Sequence, residues 1–438
     1  MDPGGLARRT GHRDRVVRTV NARCELPGVR RTLQTVYDET DQPLGWLALN
    51  SSAWPCASGG VRCTPDVSSE VVRDLADAMT WKFAFLRMPF GGAKSGIRSR
   101  DSWSPEHKAR AVERFGEALG PLLRAHAYGS GPDMGFGASD HWRLLKAAGR
   151  NVGATPPDVA GGGTGAPTAA TVFACARGSL RSQGLEIAGA RVAIQGFGSV
   201  GSDLARRFAE EGARVVAVSN LTGAIHADEG LDISRLLESR AELGDEGLLR
   251  SGAGDPMEPN QLLELEVDVL SPCAAGGVVT PDLLPRLRCR VLVPGANCVL
   301  HASVQPESLD ALGISYVPDW VASGGGVFAA NLPGSDSFRR RVLEEVYPER
   351  IAELFDRAAG EGISFHRVAR DLAAARLARV SEDPTIAARE HVELQRTQRL
   401  SRNRWRRFEA RAAASRIAEN WLPRAASCES DSPASRST

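Results

Sequence analysis

At 438 residues the chain has room for two domains of ordinary size and a tail, and its 42% hydrophobic and 24% charged residues exclude a disordered or fibrous protein. A net charge of +1 gives no general pull toward nucleic acid or anionic membrane, and no apolar run approaches the about 18 residues of a membrane span; with no apolar signal core in MDPGGLARRTGHRDR, the expected location is cytoplasmic. The eight cysteines form neither a CxxC pair nor a metal-ligand cluster, so reduced, mostly structural thiols and no metal site are expected.

Residues 1–34 are arginine-rich and weakly patterned and read as a flexible lead-in. From Leu33 the text TLQTVYDETDQPLGWLALN reads as two strands around a turn at DETDQP. Residues 66–86 form the first clear helix, capped by Asp66 or Ser68, with Leu75, Met79 and Leu86 on one stripe and Lys82 on that same stripe. A second helix starts at Ser104-Pro105, serine as cap and proline in the first turn. These elements make up an N-terminal α/β domain over 35–150.

The Gly/Pro-rich stretch 153–168 reads as a domain boundary or hinge. Beyond it, short apolar strands (RVAIQ, RVVAVS, VDVLSP, RVLVPGAN, SYVPDWV) alternate with helical text, which implies a parallel sheet covered on both faces over 151–337. Amphipathic helices follow over 338–379. The remainder, 380–438, is a basic helical or disordered tail; glutamates dilute the arginines around Trp405 and Phe408, so a solvated helix face explains it more simply than a nucleic-acid surface.

Two details carry chemistry. The chain has only four lysines (Lys82, Lys94, Lys108, Lys146), so 54 − 4 = 50 of its basic residues are arginine, and two of the four stand twelve positions apart in MTWKFAFLRMPFGGAKSGIR. An amine gives up its proton on burial far more readily than a guanidinium does, which is a reason to keep lysine where proton transfer is needed. The second detail is Gly196, Gly198 and Gly201 in QGFGSVG, a G-x-G-x-x-G directly after one strand and opening a helix, with Gly212 and a second strand beyond. The first glycine permits a tight turn, the second lets backbone approach a pyrophosphate, and the third allows helix to pack on strand, so a nicotinamide dinucleotide is expected there. Where an acidic residue normally ends the second strand, this chain has Asn220; it can hydrogen-bond a ribose diol without repelling a 2′-phosphate, and the absence of a following basic residue leans toward NAD with NADP possible.

Together, GGVR (59–62), MTWK (79–82), PFGGAKSGI (89–97), PDMG (132–135), QGFGSVG (195–201), PGAN (294–297) and VPDWVASGGGV (317–327) resemble the glutamate/leucine/phenylalanine/valine dehydrogenases, closer to the leucine/phenylalanine/valine branch, over about 35–379. The resemblance implies an α/β fold in which a Rossmann-type, doubly wound dinucleotide domain follows the substrate domain. It further implies C-terminal helices packing back on the first domain, an active site in a cleft closed by domain motion, and a homo-oligomer. By the same resemblance Lys94 is the catalytic lysine that activates water, Asp133 shuttles a proton on the amino group, and Lys82 holds the substrate α-carboxylate. Gly59, Gly60, Gly91, Gly92 and Ala330 then line the substrate, and Gly196, Phe197, Gly198, Ser199, Val200, Gly201, Asn220, Ala274, Ala275 and Asn297 the cofactor.

The implied reaction is NAD(P)-dependent, reversible oxidative deamination of an L-amino acid to the 2-oxo acid and ammonia. In the glutamate-specific branch a lysine precedes GG-x-R and a serine stands three residues beyond GGV; here those places hold Ser58 and Ala330, which disfavours a second carboxylate and favours a branched or aromatic side chain. Ser95, Cys298, Ser323 and APTAAT at 166–171 depart from the family pattern. They leave open a non-catalytic dinucleotide-binding homologue, or a biosynthetic variant acting on an unusual 2-oxo acid.

Overall fold

The computed structural model describes residues 17–23 (backbone only), 29–50, 54–153, 163–402 and 407–423. The chain divides into two compact units: Met1–Thr80 with Pro89–Val159 and Leu377–His391, and Trp81–Met88 with Ala160–Arg376 and Val392–Thr438.

The first unit is built on a six-stranded mixed sheet in the order β1-β2-β3-β5-β4-β6. Its strands are β1 (Val17–Arg23), β2 (Arg30–Tyr37), β3 (Pro43–Asn50), β4 (Ala57–Thr64), β5 (Gly91–Arg98) and β6 (Tyr128–Pro132). One correction falls at the start. Val17–Arg23, inside the expected flexible lead-in, pairs antiparallel with β2 from Val17↔Val36 to Arg23↔Arg30. The β-branched Val17, Thr19 and Val20 suit that pairing, although Arg18, Asn21 and Arg23 hide the pattern. Residues 1–16 and 24–28 of the lead-in lie outside the described residues.

Helix α1 (Ser69–Phe85) covers one face of this sheet, where Val67, Val72 and Ala76 pack on Leu33, Trp46 and Ala48. Ser68 is its cap, accepting from the Val71 N–H at 3.3 Å. Helices α2 (Pro105–Arg124) and α3 (Ala138–Ala147) cover the other face; Ser104 caps α2, and Phe115, Leu119 and Leu123 meet Leu47, Val61 and Ile97. Period-two alternation in β4, buried at Ala57, Gly59, Val61 and Cys63, separates this apolar side from the side bearing Ser58, Gly60 and Arg62.

The second unit holds a seven-stranded sheet in the order β10-β9-β8-β7-β11-β12-β13. The strands are β7 (Arg191–Gln195), β8 (Arg214–Asn220), β9 (Gly223–His226), β10 (Asp255–Met257), β11 (Val267–Pro272), β12 (Cys289–Leu292) and β13 (Ser315–Tyr316). β8, β7, β11, β12 and β13 run parallel; β9 and β10 close the edge antiparallel. Strand order reverses at β7, with β8 on one side and β11 on the other, which is where open α/β sheets bind ligands.

Its helices are α4 (Gly165–Ser182), α5 (Ser199–Glu210), α6 (Ile233–Leu243), α7 (Gly247–Arg250), α8 (Pro306–Asp310), α9 (Asp319–Ala322), α10 (Gly325–Asn331), α11 (Asp336–Arg341), α12 (Tyr347–Glu361), α13 (Phe365–Glu382), α14 (Pro384–Arg402) and α15 (Arg407–Trp421). Within the expected hinge at 153–168, Gly165 already begins α4, while 154–162 lie outside the described residues. The C-terminal helices divide. Residues 338–376 belong to the second unit, where Phe355 and Ile351 of α12 fill the space left by Gly178 of α4; Leu377–His391 belong to the first unit, with His391 edge-on to Phe90.

The tail is helical in α14 and α15, and its last tryptophan is core: Trp421 is buried edge-to-face on Phe328 at 5.9 Å. Residues 403–406, including Trp405, and 424–438 lie outside the described residues, as does the side chain of Phe408. No helix among the described residues is long and apolar enough to cross a membrane.

Candidate active site

In the first unit, β5 runs between β3 and β4, and Lys94 sits opposite Ala48 on the face that α1 covers. Gly92, two residues earlier on that face, is the reason the helix comes so close: a Cβ there would overlap the Ala76 carbonyl and the Thr80 backbone. Asn50 secures the same contact, donating to Asp77 Oδ1 at 2.7 Å and Thr80 Oγ1 at 3.0 Å, while Arg31 pairs with the other oxygen of Asp77. Lys94 is left 4% exposed, its Nζ 2.7 Å from Asp133 Oδ2.

Asp133 follows β6 in a tight turn. Its N–H donates to the Phe136 carbonyl at 3.3 Å, the Phe136 N–H returns to its own carbonyl at 2.9 Å, and the Cys63 N–H ties Met134 O to β4 at 2.8 Å. Gly60 lies directly beneath: a Cβ there would stand 3.0 Å from the Asp133 Cβ. Arg62, from the same strand, places its Nε 3.4 Å from Asp133 Oδ2. Burial pushes the Asp133 carboxyl up, but the Lys94 and Arg62 charges and the Lys94 hydrogen bond outweigh it and hold the group at about 2. It is a carboxylate shared by two cations.

Behind Lys94, on the opposite side of the sheet, Ser95 Oγ lies 2.9 Å from the Tyr128 hydroxyl, which donates to the Gly59 carbonyl at 3.0 Å. This buried hydroxyl pair ties β5, β6 and β4 together one residue from the lysine. Ser58, two residues before Gly60, turns its hydroxyl onto the Gly129 carbonyl at 3.1 Å.

In the second unit Lys82 is 3% exposed and donates to Asn297 Oδ1 at 2.9 Å, Ser323 Oγ at 2.9 Å and the Ser323 carbonyl at 3.2 Å. Ser323 Oγ lies 2.6 Å from the Asp319 carbonyl, and Asp319 Oδ2 accepts the Cys298 N–H at 2.8 Å. Burial raises the Asp319 carboxyl above its ordinary range, against the Cys298 hydrogen bond and the nearby Lys82 charge. Cys298 has φ +53°, a left-handed conformation that asparagine tolerates better than most residues.

The strand-turn-helix at β7 and α5 passes the test for a dinucleotide. Gly196 has φ +101°, and a Cβ on it would stand 2.8 Å from the Ala274 N. Gly198 has open space where a Cβ would point, and at Gly201 a Cβ would overlap the Gly196 carbonyl. Turn, approach and packing are thus each served by the glycine expected to serve it. Ser199 and Gly198 are exposed at the N-terminus of α5, Val200 is half-buried, and Phe197 is core. Ala274 and Ala275 are exposed just past β11, whose end is tied to β7 by the Cys273 N–H on the Gln195 carbonyl at 2.6 Å.

Several expected residues make contacts within the protein. A Cβ on Gly59 would overlap the Ala93 carbonyl, and one on Gly91 the Asn50 carbonyl, so with Gly92 these glycines face protein rather than open space. Ala330 is exposed on α10. Asn220, expected on the ribose, is engaged by Thr222 and Asp245. Sequence reasoning did not single out Arg62 or Asp319, although both stand inside quoted motifs, GGVR and VPDWV. Their signal was a charged residue inside a quoted motif, Arg62 two positions past Gly60 and Asp319 beside Trp320.

Comparison with known proteins places this geometry. A model of the Glu/Leu/Phe/Val dehydrogenase dimerisation domain matches residues 29–146, and one of the Glutamate/Leucine/Phenylalanine/Valine dehydrogenase matches residues 161–369. Glutamate dehydrogenase B of Halobacterium salinarum is 31% identical over 329 residues, covering 73% of this chain and 74% of that one. The hetero-hexameric glutamate dehydrogenase of Thermus thermophilus, in a Leu-bound form, superposes with TM-score 0.66 at 28% identity over 83% of this chain and 87% of that one. L-tryptophan dehydrogenase of Nostoc punctiforme shares the fold, with TM-score 0.54 at 22% identity over 80% of this chain and 95% of that one.

Proposed function

The chain belongs to the glutamate/leucine/phenylalanine/valine dehydrogenase family and is an NAD(P)-dependent oxidoreductase acting on CH–NH2 donors, and from that premise we propose that it reversibly deaminates a non-acidic L-amino acid, branched-chain or aromatic, to the 2-oxo acid and ammonia. A bound nicotinamide supplies the hydride acceptor. The chain's own residues do the rest. Lys82 holds the α-carboxylate, its ammonium oriented by Asn297 and Ser323. Asp133 takes a proton from the substrate nitrogen, and the 2.7 Å contact lets that proton pass to Lys94 and back. Lys94 assists water in adding to the imine carbon, and collapse of the carbinolamine releases ammonia.

The observation that carries the choice of a non-acidic substrate is Ser58. A second carboxylate on the substrate needs a buried cation, and a neutral hydroxyl already bonded to Gly129 does not provide one. The glutamate dehydrogenases among its relatives supply the opposing reading, so the test is direct. NADH and NADPH consumption with ammonium is followed against a panel of 2-oxo acids; turnover of 2-oxoglutarate above branched and aromatic acids would overturn the proposal. A homo-oligomer is the assembly proposed, supported by the dimerisation-domain match over 29–146.

A further inference from the structure

We infer that Asp245 selects the adenosine ribose of the dinucleotide and makes the protein prefer NAD to NADP, an inference resting on the cofactor reading above. In this fold the end of the second parallel strand faces the ribose, and an acidic residue there accepts the diol. Here β8 ends in Asn220, nineteen residues past Gly201 (220 − 201), and its side chain is already committed. Asn220 Oδ1 accepts the Thr222 N–H at 2.9 Å and the Thr222 hydroxyl at 2.8 Å. An amide oxygen has two lone pairs, so both are taken, and two ribose hydroxyls that must donate need another acceptor.

The bond on the other end of Asn220 brings one. Its Nδ2 donates to the Asp245 carbonyl at 2.6 Å, and Thr222 Oγ1 lies 3.1 Å from the same oxygen. Asp245 is exposed in a single helical turn, Gly244–Glu246, joining α6 to α7. That turn is seated: Ser239 Oγ donates to the Gly247 carbonyl at 2.8 Å, and a Cβ on Gly247 would overlap the Ser239 carbonyl. The neighbouring charges answer each other, Arg250 lying 2.9 Å from Glu246. Asp245 is thus tied to the strand end through its backbone carbonyl, and its exposed carboxylate is the acidic group available there to accept from a 2′-hydroxyl and repel a 2′-phosphate. The acidic residue missing from the strand is supplied by a different element.

The test is isothermal titration calorimetry of NAD⁺ and NADP⁺ on the full-length protein and its Asp245→Ala, Asp245→Asn and Glu246→Ala variants, with circular dichroism to confirm folding. The native chain is expected to bind NAD⁺ roughly tenfold or more tighter than NADP⁺. Asp245→Ala and Asp245→Asn weaken NAD⁺ by roughly tenfold and leave NADP⁺ unchanged or tighter. Glu246→Ala leaves the ratio unaltered. Native preference for NADP⁺, an unaltered ratio in Asp245→Ala, or equal weakening of both dinucleotides overturns the inference while the cofactor reading stands. A folded native protein that binds neither overturns both.

Discussion

Two buried lysines, twelve residues apart in sequence, are held in opposite ways. Lys94 in the first unit meets a carboxylate at 2.7 Å, whereas Lys82 in the second is cradled by the amide oxygen of Asn297 and the two oxygens of Ser323. Exposure is nearly the same, 4% against 3%, so burial does not separate them. The partners do. A carboxylate forms a proton-transfer couple with an ammonium, while neutral acceptors orient an ammonium without neutralising it. The first arrangement suits acid–base work, the second the reception of an anion.

The largest expected effect breaks the couple. Lys94→Ala should cut kcat for reductive amination about 1,000-fold with dinucleotide binding intact, read by steady-state kinetics beside calorimetry. Residual turnover within tenfold of native would mean that Lys94 is only structural.

The second lysine sharpens the contrast through binding. Lys82→Ala should lower kcat/KM for the 2-oxo acid about 100-fold, mainly through KM. Lys82→Arg should not restore it, because a planar guanidinium does not reproduce the three contacts of the ammonium. A rise in KM no larger than twofold for Lys82→Ala would remove the carboxylate role.

A smaller effect follows from Asp133, whose folded value of about 2 lies below its ordinary 3.8. Because the folded value is depressed, this group stabilises the fold fully above about pH 4 and loses that contribution as pH falls toward about 2, roughly 2 kcal/mol in all. Denaturant titrations of native protein and Asp133→Asn should therefore differ in acid slope across that window and run parallel above it. Identical slopes would show that the carboxylate is not held low.

The smallest is Ser58→Lys. A cation placed where Ser58 bonds Gly129 should raise kcat/KM for 2-oxoglutarate relative to an apolar 2-oxo acid by about tenfold. No change in that ratio would move the specificity argument elsewhere.

Much of this was legible beforehand for physical reasons. The apolar, β-branched and aromatic residues of TLQTVY and PLGWLALN on either side of DETDQP read as strands, Ser104-Pro105 starts a helix, and the three spaced glycines suit a turn, an approach and a close packing. The strand at Val17–Arg23 was not legible, because Arg18, Asn21 and Arg23 among its β-branched residues read as polar text until a neighbour pairs with them. The glycines around the lysine show the same dependence on distant partners. Gly92 marks a close approach, as its position in GGAK suggests, but what approaches is Thr80 of a helix.

Local sequence by itself determined what depends on neighbouring residues and side-chain chemistry: the strand and helix periods, the glycine-spaced turn, and two scarce lysines set twelve residues apart in a glycine-containing segment. The tertiary structure alone decided which oxygen each buried ammonium meets, since Asp133 reaches Lys94 across 39 residues (133 − 94) and Ser323 reaches Lys82 across 241. It likewise decided that Asn220 is spent on Asp245. Partners of that kind are set by sheet register and packing, which bring distant residues within hydrogen-bond range that no local spacing encodes.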